Sequence, residues 1–281
     1  MKLGIPQLIK PTKLPQLIKL PQLINLIKLI NLINLPQLIK LIKLPMSTFL
    51  FDYGGTLDTA ATHWYYVFEA AYHQIGYQIA DEQLREAYVT GERALAKERI
   101  ILPEDNFFTL LQKKITIQLH HLETSLHLVQ FDNDATRKQT IQRLATYCDD
   151  FARQHVQQSA QVLDQLKQRG HRLIMVSNFY GNLHQVLSTY AIDHYFDSII
   201  ESAVVGVRKP DPAIWQLGVE TAQCDASQCI AVGDSFSKDI VPAHSLGCQT
   251  IWFKGREWEP KQFDETLPSH IITSLDDILT L

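Results

Sequence analysis

Four groups of polar residues in this sequence lie where short apolar runs end, and together they could carry out one reaction. They are Asp52, the pair Ser177 and Asn178, Lys209 before Pro210, and Gly233-Asp234 with Asp239. Phosphoryl transfer needs an in-line nucleophile, a metal that neutralises oxygens, and donors directed at the equatorial oxygens. Carboxylates, a hydroxyl and a lysine can supply all three, so the groups predict a single phosphoryl-transfer site.

The carboxylates provide the candidate nucleophile and the candidate metal ligands. Asp52 is the candidate nucleophile, because a carboxylate can form an acyl-phosphate intermediate that divides one difficult step into two. Magnesium prefers oxygen ligands and retained waters, so Asp52, Asp234 and the Gly54 carbonyl would form a partial shell. Asp239 would support or complete that shell. The sequence therefore predicts Mg²⁺ as the cofactor.

The remaining groups are candidates for holding the phosphate. Ser177 can donate its hydroxyl to a phosphoryl oxygen, and Asn178 beside it belongs to the same predicted phosphate-binding set. Lys209 can hold the phosphate and balance the crowded carboxylates. Singly, each signal is weak, because an aspartate after an apolar run is common in turns and a Lys-Pro is usually a solvated loop. Their order on successive strand ends favours the functional interpretation.

The elements that must position these residues alternate between strands and helices. Short apolar runs at 48–51, 173–176, 199–200, 229–232 and 250–253 predict strands. Helices are predicted at 162–169 and from near 212 and 240. This alternation predicts an α/β fold, a doubly wound parallel sheet with helices on both faces. Ligands of such folds bind beyond the carboxyl ends of the strands, so the four groups should meet there.

A long stretch after the first predicted strand has a different character. Helix-like apolar spacing covers 64–77, 81–100, 106–122 and 136–158, with almost no strand signal. We therefore predict an all-helical cap at 61–159. The catalytic core would then consist of 46–60 and 160–281.

Residues 1–45 form a low-complexity Leu/Ile/Pro extension that we place outside the fold. From 14 to 45 the sequence repeats in threes, a period that fits neither a helix nor a strand, and prolines interrupt any helix. Two interpretations stay open. The tract precedes a true start at Met46, or it is a Leu/Ile-rich interaction arm.

Composition restricts the class of protein. The 281 residues are 46% hydrophobic and 20% charged, which is typical of a globular protein with room for a core and a smaller second domain. A net charge of −4 without a basic stripe indicates neither nucleic-acid binding nor a polybasic membrane anchor. The four cysteines lack the spacing of a disulfide framework or a zinc site. We expect a cytoplasmic protein with a small phosphorylated substrate, and the oligomeric state stays open.

In order along the chain, four segments resemble the motifs of the haloacid dehalogenase-like hydrolase superfamily. They are Phe-Asp-Tyr-Gly-Gly-Thr-Leu-Asp at 51–58, Val-Ser-Asn at 176–178, Arg-Lys-Pro-Asp-Pro at 208–212 and Gly-Asp-Ser-Phe-Ser-Lys-Asp-Ile at 233–240. The resemblance covers the chain after residue 45 and implies a Rossmann-like core, a helical cap, magnesium and phosphatase activity. It also implies that Asp52 is the nucleophile and Asp234 a metal ligand. Thr56 and Ser177 would contact the phosphoryl group or its loop, and Lys209 would orient it.

Gly54 departs from the family pattern. Most phosphatases of the family carry a second aspartate at this position, which protonates the leaving oxygen and later activates water. General acid or base assistance contributes about 10²–10⁴-fold. Three interpretations stay open: Asp58, His63 or a cap residue substitutes; the substrate is an acyl or aryl phosphate with a good leaving group; or the protein binds phosphate compounds with poor turnover.

The main hypothesis is magnesium-dependent hydrolysis of a small phosphorylated metabolite, and the alternative is a non-catalytic or weakly active phosphate-binding protein. Haloacid dehalogenases work without metal and lack the Gly-Asp pair, so Asp234 argues against dehalogenation. Phosphonate hydrolases also lack the second aspartate, but they use a cap lysine to form a Schiff base. We interpret the cap lysines as solvated helix residues, which leaves phosphonate hydrolysis as a minor alternative; they are Lys97, Lys113, Lys114 and Lys138.

Overall fold

In the computed structural model, a six-stranded sheet forms the centre of the described part of the chain. The structure describes residues 46–131, 133–258 and 261–281, so the extension predicted at 1–45 lies outside the described residues. The strands are β1 (Thr48–Phe51), β2 (Arg172–Ser177), β3 (Ser198–Glu201), β4 (Cys229–Gly233), β5 (Gln249–Phe253) and β6 (His270–Ile272). All neighbouring strands are parallel. The predicted α/β class is confirmed.

The strand order β3-β2-β1-β4-β5-β6 places β1 and β4 side by side. The chain winds outward from β1 through β2 to β3, and then returns to the other side of β1 with β4. This reversal is the topological switch point at which doubly wound sheets bind their ligands. Phe51 is in register with Val232, so the residues that follow β1 and β4 emerge next to each other.

Helices cover both faces of the sheet because its inner strands are apolar on both faces. Phe49 and Phe51 of β1 belong to a hydrophobic cluster that continues into the helical segment after β1. Leu50 points the other way and packs in a cluster with Trp215. Because successive side chains of β1 are buried on opposite faces of the sheet, its sequence is an uninterrupted apolar run.

Four long helices follow β1, as the apolar spacing predicts. They are α1 (Trp64–Gln74), α2 (Asp81–Lys97), α3 (Phe107–Thr124) and α4 (Asp134–Gln168). Asparagine side chains cap two of them: Asn106 accepts from the backbone of Thr109, and Asn133 accepts from that of Thr136.

Shorter helices alternate with the later strands. They are α5 (Leu183–Thr189), α6 (Ser202–Val205), α7 (Ala213–Ala222) and α8 (Val241–Ser245), with a π-helical turn at Phe236–Ile240 and 3₁₀ turns at Asp193–Tyr195, Ala226–Gln228 and Leu275–Thr280.

Helix α4 is one continuous helix of 35 residues, and the prediction of two separate helices is wrong. No glycine or proline interrupts the stretch, and Val156, Ser159 and Val162 keep the spacing of one buried face. The predicted boundary between cap and core at 159/160 falls within α4, so the division into 61–159 and 160–281 stays a prediction. Strand β6 was not predicted, because only Ile272 among its three residues is buried.

Among the described residues, none of the helices combines the length and apolar character that a membrane span requires.

Leu50→Ala should lower the free energy of unfolding by about 2–5 kcal/mol, because Leu50 is fully buried between β1 and its covering helix. Leu128→Ala is the matched control, since Leu128 is 42% exposed, and it should change stability by less than about 0.5 kcal/mol. Urea denaturation measures both values. Equal losses would contradict this placement of the core.

Candidate active site

The predicted catalytic residues Asp52 and Ser177 lie at the carboxyl ends of β1 and β2. Lys209 reaches them from the loop between α6 and α7, and its predicted position at a strand end is wrong. Asp52 follows β1, and its Oδ1 accepts hydrogen bonds from Lys209 Nζ at 2.6 Å and Ser177 Oγ at 3.1 Å. Lys209 Nζ also donates to Asp239 Oδ1 at 2.7 Å. The ammonium group therefore joins two carboxylates that are far apart in the sequence.

Lys209 is fixed by contacts to its backbone and its ammonium group. The Asn178 side chain donates to the Lys209 carbonyl at 3.0 Å and accepts from the Lys209 amide at 2.8 Å. The ammonium lies 4.5 Å from the centre of the Trp215 ring, a favourable cation–π arrangement. Both ends of the Asn178 amide are thus engaged by the lysine backbone, and its predicted contact with phosphate stays a prediction.

Three carboxylates form a cluster that could hold a metal ion. One oxygen from each of Asp52, Asp234 and Asp239 lies within 4.8 Å of the others. Thr56 supports the cluster, since its Oγ1 lies 3.0 Å from Asp234 Oδ1 and accepts from the Asp234 amide at 3.1 Å. Gly54 is exposed in the turn after β1. An all-oxygen set of this kind suits Mg²⁺.

Burial, together with neighbouring charges, shifts the pKa values of Asp234 and Asp239. Burial, together with the charges of Asp239 and Asp52, raises the pKa of Asp234 well above its usual range. Burial raises the pKa of Asp239 to about 6, although the nearby Lys209 opposes the shift. If all three carboxylates were ionised, the single ammonium would leave two negative charges. A divalent cation would balance them.

Two glycines allow the carboxylates to approach so closely. A Cβ on Gly55 would lie 2.5 Å from both carboxylate oxygens of Asp234, and Gly55 has a positive φ of 97°. A Cβ on Gly233 would overlap the side chain of Asp239. A Cβ on Gly54, by contrast, would meet no atom of the described residues within 4 Å.

Asp58 and His63, which could replace the acid missing at Gly54, both have structural contacts. Asp58 accepts from the Gly55 amide at 2.6 Å and from Trp64 Nε1 at 3.0 Å, so it ties the turn after β1 to α1. Burial raises the pKa of Asp58 to about 7 despite these donors. His63 caps α1 by accepting from the Tyr65 amide, and burial lowers its pKa to about 4. His63 is therefore neutral at pH 7 and an unsuitable proton donor.

A cavity of about 1520 Å³ opens above the carboxylates. Its floor includes Asp52 and Asp234, and its walls include Trp64 of α1, Glu92 of α2 and Lys114 of α3. The cavity is large enough for a small metabolite. The helices that follow β1 therefore form part of the same site.

The interpretation of Lys114 as a solvated helix lysine is wrong. Its side chain is only 8% exposed and forms an ion pair with Glu92 at 2.6 Å. Lys97 and Lys138 are exposed, as interpreted. Helical spacing could have predicted the burial of Lys114, because the residues three or four positions away are buried; they are Leu110, Leu111 and Gln118. The contacts of Lys114 with Glu92 and Tyr180 had no comparable sequence signal.

A family model described as haloacid dehalogenase-like hydrolase matches residues 46–247. The chain is 30% identical over 114 residues to haloacid dehalogenase-like hydrolase domain-containing protein 3 of Bos taurus, covering 40% of this chain and 45% of that protein. It is 33% identical over 96 residues to glyceraldehyde 3-phosphate phosphatase of Pyrococcus abyssi, covering 33% of this chain and 40% of that protein. The matches therefore span less than half of either relative.

Solved structures share the fold. A crystal structure of a dehalogenase with an intermediate complex matches with a TM-score of 0.57 and 19% identity, covering 84% of this chain and 96% of that one. An L-2-haloacid dehalogenase matches with a TM-score of 0.53 and 20% identity, covering 84% and 98%. At such identities the likeness shows the fold alone.

Gly55→Ala should lower the free energy of unfolding by at least about 1 kcal/mol, because alanine at a positive φ is strained and its Cβ would displace the Asp234 carboxylate. Gly54→Ala is the matched control one residue away and should change stability by less than about 0.5 kcal/mol. Urea denaturation of both variants checks this. A greater loss in Gly54→Ala would contradict the packing described for the turn.

Proposed function

Because the chain belongs to the haloacid dehalogenase-like hydrolase family, we propose that it hydrolyses a small phosphorylated metabolite through Asp52. The observation that carries this proposal is the buried cluster in which Asp52 meets Lys209 and Ser177 at the strand ends. Glyceraldehyde 3-phosphate phosphatase of Pyrococcus abyssi, by its name, acts on a phosphate ester, and its similarity supports the same substrate class here.

Asp52, Asp234 and the Gly54 carbonyl would hold Mg²⁺, with Asp239 supporting them. The closeness of the three carboxylates and the charge left unbalanced beside Lys209 support this assignment. When bound, the ion would neutralise charge on the phosphoryl oxygens.

The chain's own residues suit a two-step displacement. A carboxylate oxygen of Asp52 attacks phosphorus, the bond from phosphorus to the leaving oxygen breaks, and an aspartyl phosphate forms. Water then attacks the same phosphorus, releases inorganic phosphate and restores the Asp52 carboxylate. Lys209 Nζ and Ser177 Oγ already lie within hydrogen-bond distance of Asp52, so they are placed to donate to the transferred phosphoryl group.

Gly54 limits which leaving groups the site can expel. No side chain at this position can protonate the leaving oxygen, and both carboxylate oxygens of Asp58 already accept N–H groups. Substrates with good leaving groups, such as acyl or aryl phosphates, need such a proton least. The same glycine favours the second candidate function, a protein that binds phosphate compounds and turns them over poorly.

Two other reactions have less support. Asp234 lies in a carboxylate cluster suited to a cation, which argues against metal-free dehalogenation. Phosphonate hydrolysis would need a neutral cap lysine that can form a Schiff base. Burial opposes the charge of Lys114, but Glu92 and Tyr180 outweigh it and hold the pKa above its usual value, so the amine stays protonated.

Asp52→Asn should reduce magnesium-dependent phosphate release from p-nitrophenyl phosphate and acetyl phosphate by at least about 10³-fold, because the aspartyl phosphate cannot form. Asp150→Asn, at an exposed position, is the matched control and should retain activity. Retained turnover in Asp52→Asn would refute the mechanism. Absence of turnover in the unmodified chain, with phosphate still bound, would favour the second candidate function.

Gly54→Asp should raise kcat for alkyl phosphate esters by up to about 10²-fold, because it restores a carboxyl group where the structure leaves room for one. Gly54→Asn, which adds similar volume without an ionisable group, is the control. Parallel assays on an alkyl ester and on acetyl phosphate give the comparison. An equal gain with asparagine would mean that proton transfer is not the limitation.

A further inference from the structure

We infer that Glu92, Lys114 and Tyr180 recognise the part of the substrate that does not react, and that this part is an uncharged group rich in hydroxyls. These three residues are called the polar triad below. The inference rests on the proposed function, since it names the substrate class of the same site.

The polar triad joins two helices to a loop at the carboxyl end of the sheet. Glu92 lies on α2, Lys114 on α3, and Tyr180 in the loop between β2 and α5. Lys114 Nζ donates to Glu92 Oε1 at 2.6 Å and to Tyr180 Oη at 3.2 Å. Tyr180 Oη donates to Glu92 Oε2 at 2.6 Å. All three side chains line the cavity whose floor contains Asp52, so a molecule bound at Asp52 can extend towards them.

The partial burial of this ion pair calls for an explanation other than stability. The Lys114 side chain is 8% exposed and that of Glu92 is 31% exposed. Ion pairs removed from water seldom stabilise a fold more than apolar residues of the same volume, because the charges lose their hydration. Charged groups kept in a cavity wall are therefore candidates for ligand binding.

The helices are shaped to place this pair. Gly91 precedes Glu92, and a Cβ on Gly91 would lie 3.4 Å from Lys114 Cγ and 3.3 Å from Gln118 Cγ. A larger residue at position 91 would crowd α3 and the Lys114 stem. The close approach of α2 and α3 brings the carboxylate and the ammonium together at the cavity.

Both charged members stay ionised at neutral pH. Burial opposes the charge of Glu92, but Lys114 and Tyr180 outweigh it and keep its pKa below the usual value. The pair therefore presents a full carboxylate and a full ammonium with no net charge.

The remaining hydrogen-bonding capacity selects the ligand. An ammonium has three N–H bonds, and within the described part of the chain Lys114 uses two of them. The partly exposed Glu92 carboxylate keeps lone pairs available for a donor. A hydroxyl both donates and accepts, so it can satisfy both groups. A second anionic group would be repelled by the Glu92 carboxylate, and a cationic group would be repelled by the Lys114 ammonium.

A hydroxyl-rich substrate is compatible with the lack of an acidic side chain at Gly54. A sugar phosphate with its phosphate on the anomeric carbon carries several hydroxyls, and its leaving oxygen is more acidic than that of a simple alkyl ester. A hydroxylated acyl phosphate has the same two properties. Trp64 and Tyr88 also line the cavity, where apolar ring atoms could contact the carbon skeleton of such a molecule.

The test compares three groups of phosphates: sugar phosphates including glucose 1-phosphate, carboxylate-bearing phosphates, and p-nitrophenyl phosphate. The unmodified chain should have its highest kcat/KM on a sugar phosphate. Tyr180→Phe and Lys114→Met should raise KM for that substrate about tenfold or more, and more than for p-nitrophenyl phosphate. Lys138→Met, at an exposed position, is the matched control and should change neither value.

Two results would overturn the inference and leave the proposed function standing. One is a preference for carboxylate-bearing phosphates. The other is an equal loss on all substrates in Tyr180→Phe, which would mean that the polar triad only fastens the helices to the sheet edge. If no substrate is turned over, the proposed function fails instead. Calorimetry then decides the inference, since glucose 1-phosphate should bind more tightly than inorganic phosphate, and weaker or equal binding would refute it.

Discussion

Repulsion between closely packed carboxylates is the constraint on which the rest of the structure depends. Asp52, Asp234 and Asp239 come from distant parts of the chain, yet their oxygens lie within 4.8 Å of one another. Lys209 bridges two of them and is held in place by the Asn178 amide. One ammonium cannot balance three ionised carboxylates, and burial together with the charges of Asp239 and Asp52 raises the pKa of Asp234. The proposed Mg²⁺ would offset this excess of negative charge.

The sheet brings the carboxylates of the candidate site together, and the helical segment after β1 encloses the cavity above them. Adjacent parallel strands β1 and β4 deliver Asp52 and Asp234 to one edge, and glycines at 55 and 233 remove the side chains that would separate the carboxylates. Helices α1 to α3 then form the walls of a cavity above that edge. The reacting end of a substrate and its remainder would thus be read by different parts of the chain, which allows one reaction to serve different substrates.

Much of the fold and of the candidate site could be predicted because strands buried on both faces leave a clear sequence signal. Asp52, Ser177 and Asp234 each follow or end such a strand, and the structure brings all three together. Other features left no such signal. Strand β6 has a single buried residue, and α4 runs unbroken through the predicted boundary between cap and core at 159/160.

The role of Lys114 depends on Glu92 and Tyr180, which lie on other elements, so local spacing could show its burial but not its partners. The contacts of Asn178 with Lys209 are likewise tertiary.

Calorimetric titration with Mg²⁺ at pH 6, in buffers of different ionisation enthalpy, tests the central claim. Binding should release protons, because burial and neighbouring charges raise the pKa values of Asp234 and Asp239, and Asp234→Asn should weaken Mg²⁺ binding. Absence of Mg²⁺ binding would contradict the account. So would Mg²⁺ binding that releases no protons and that Asp234→Asn leaves unchanged.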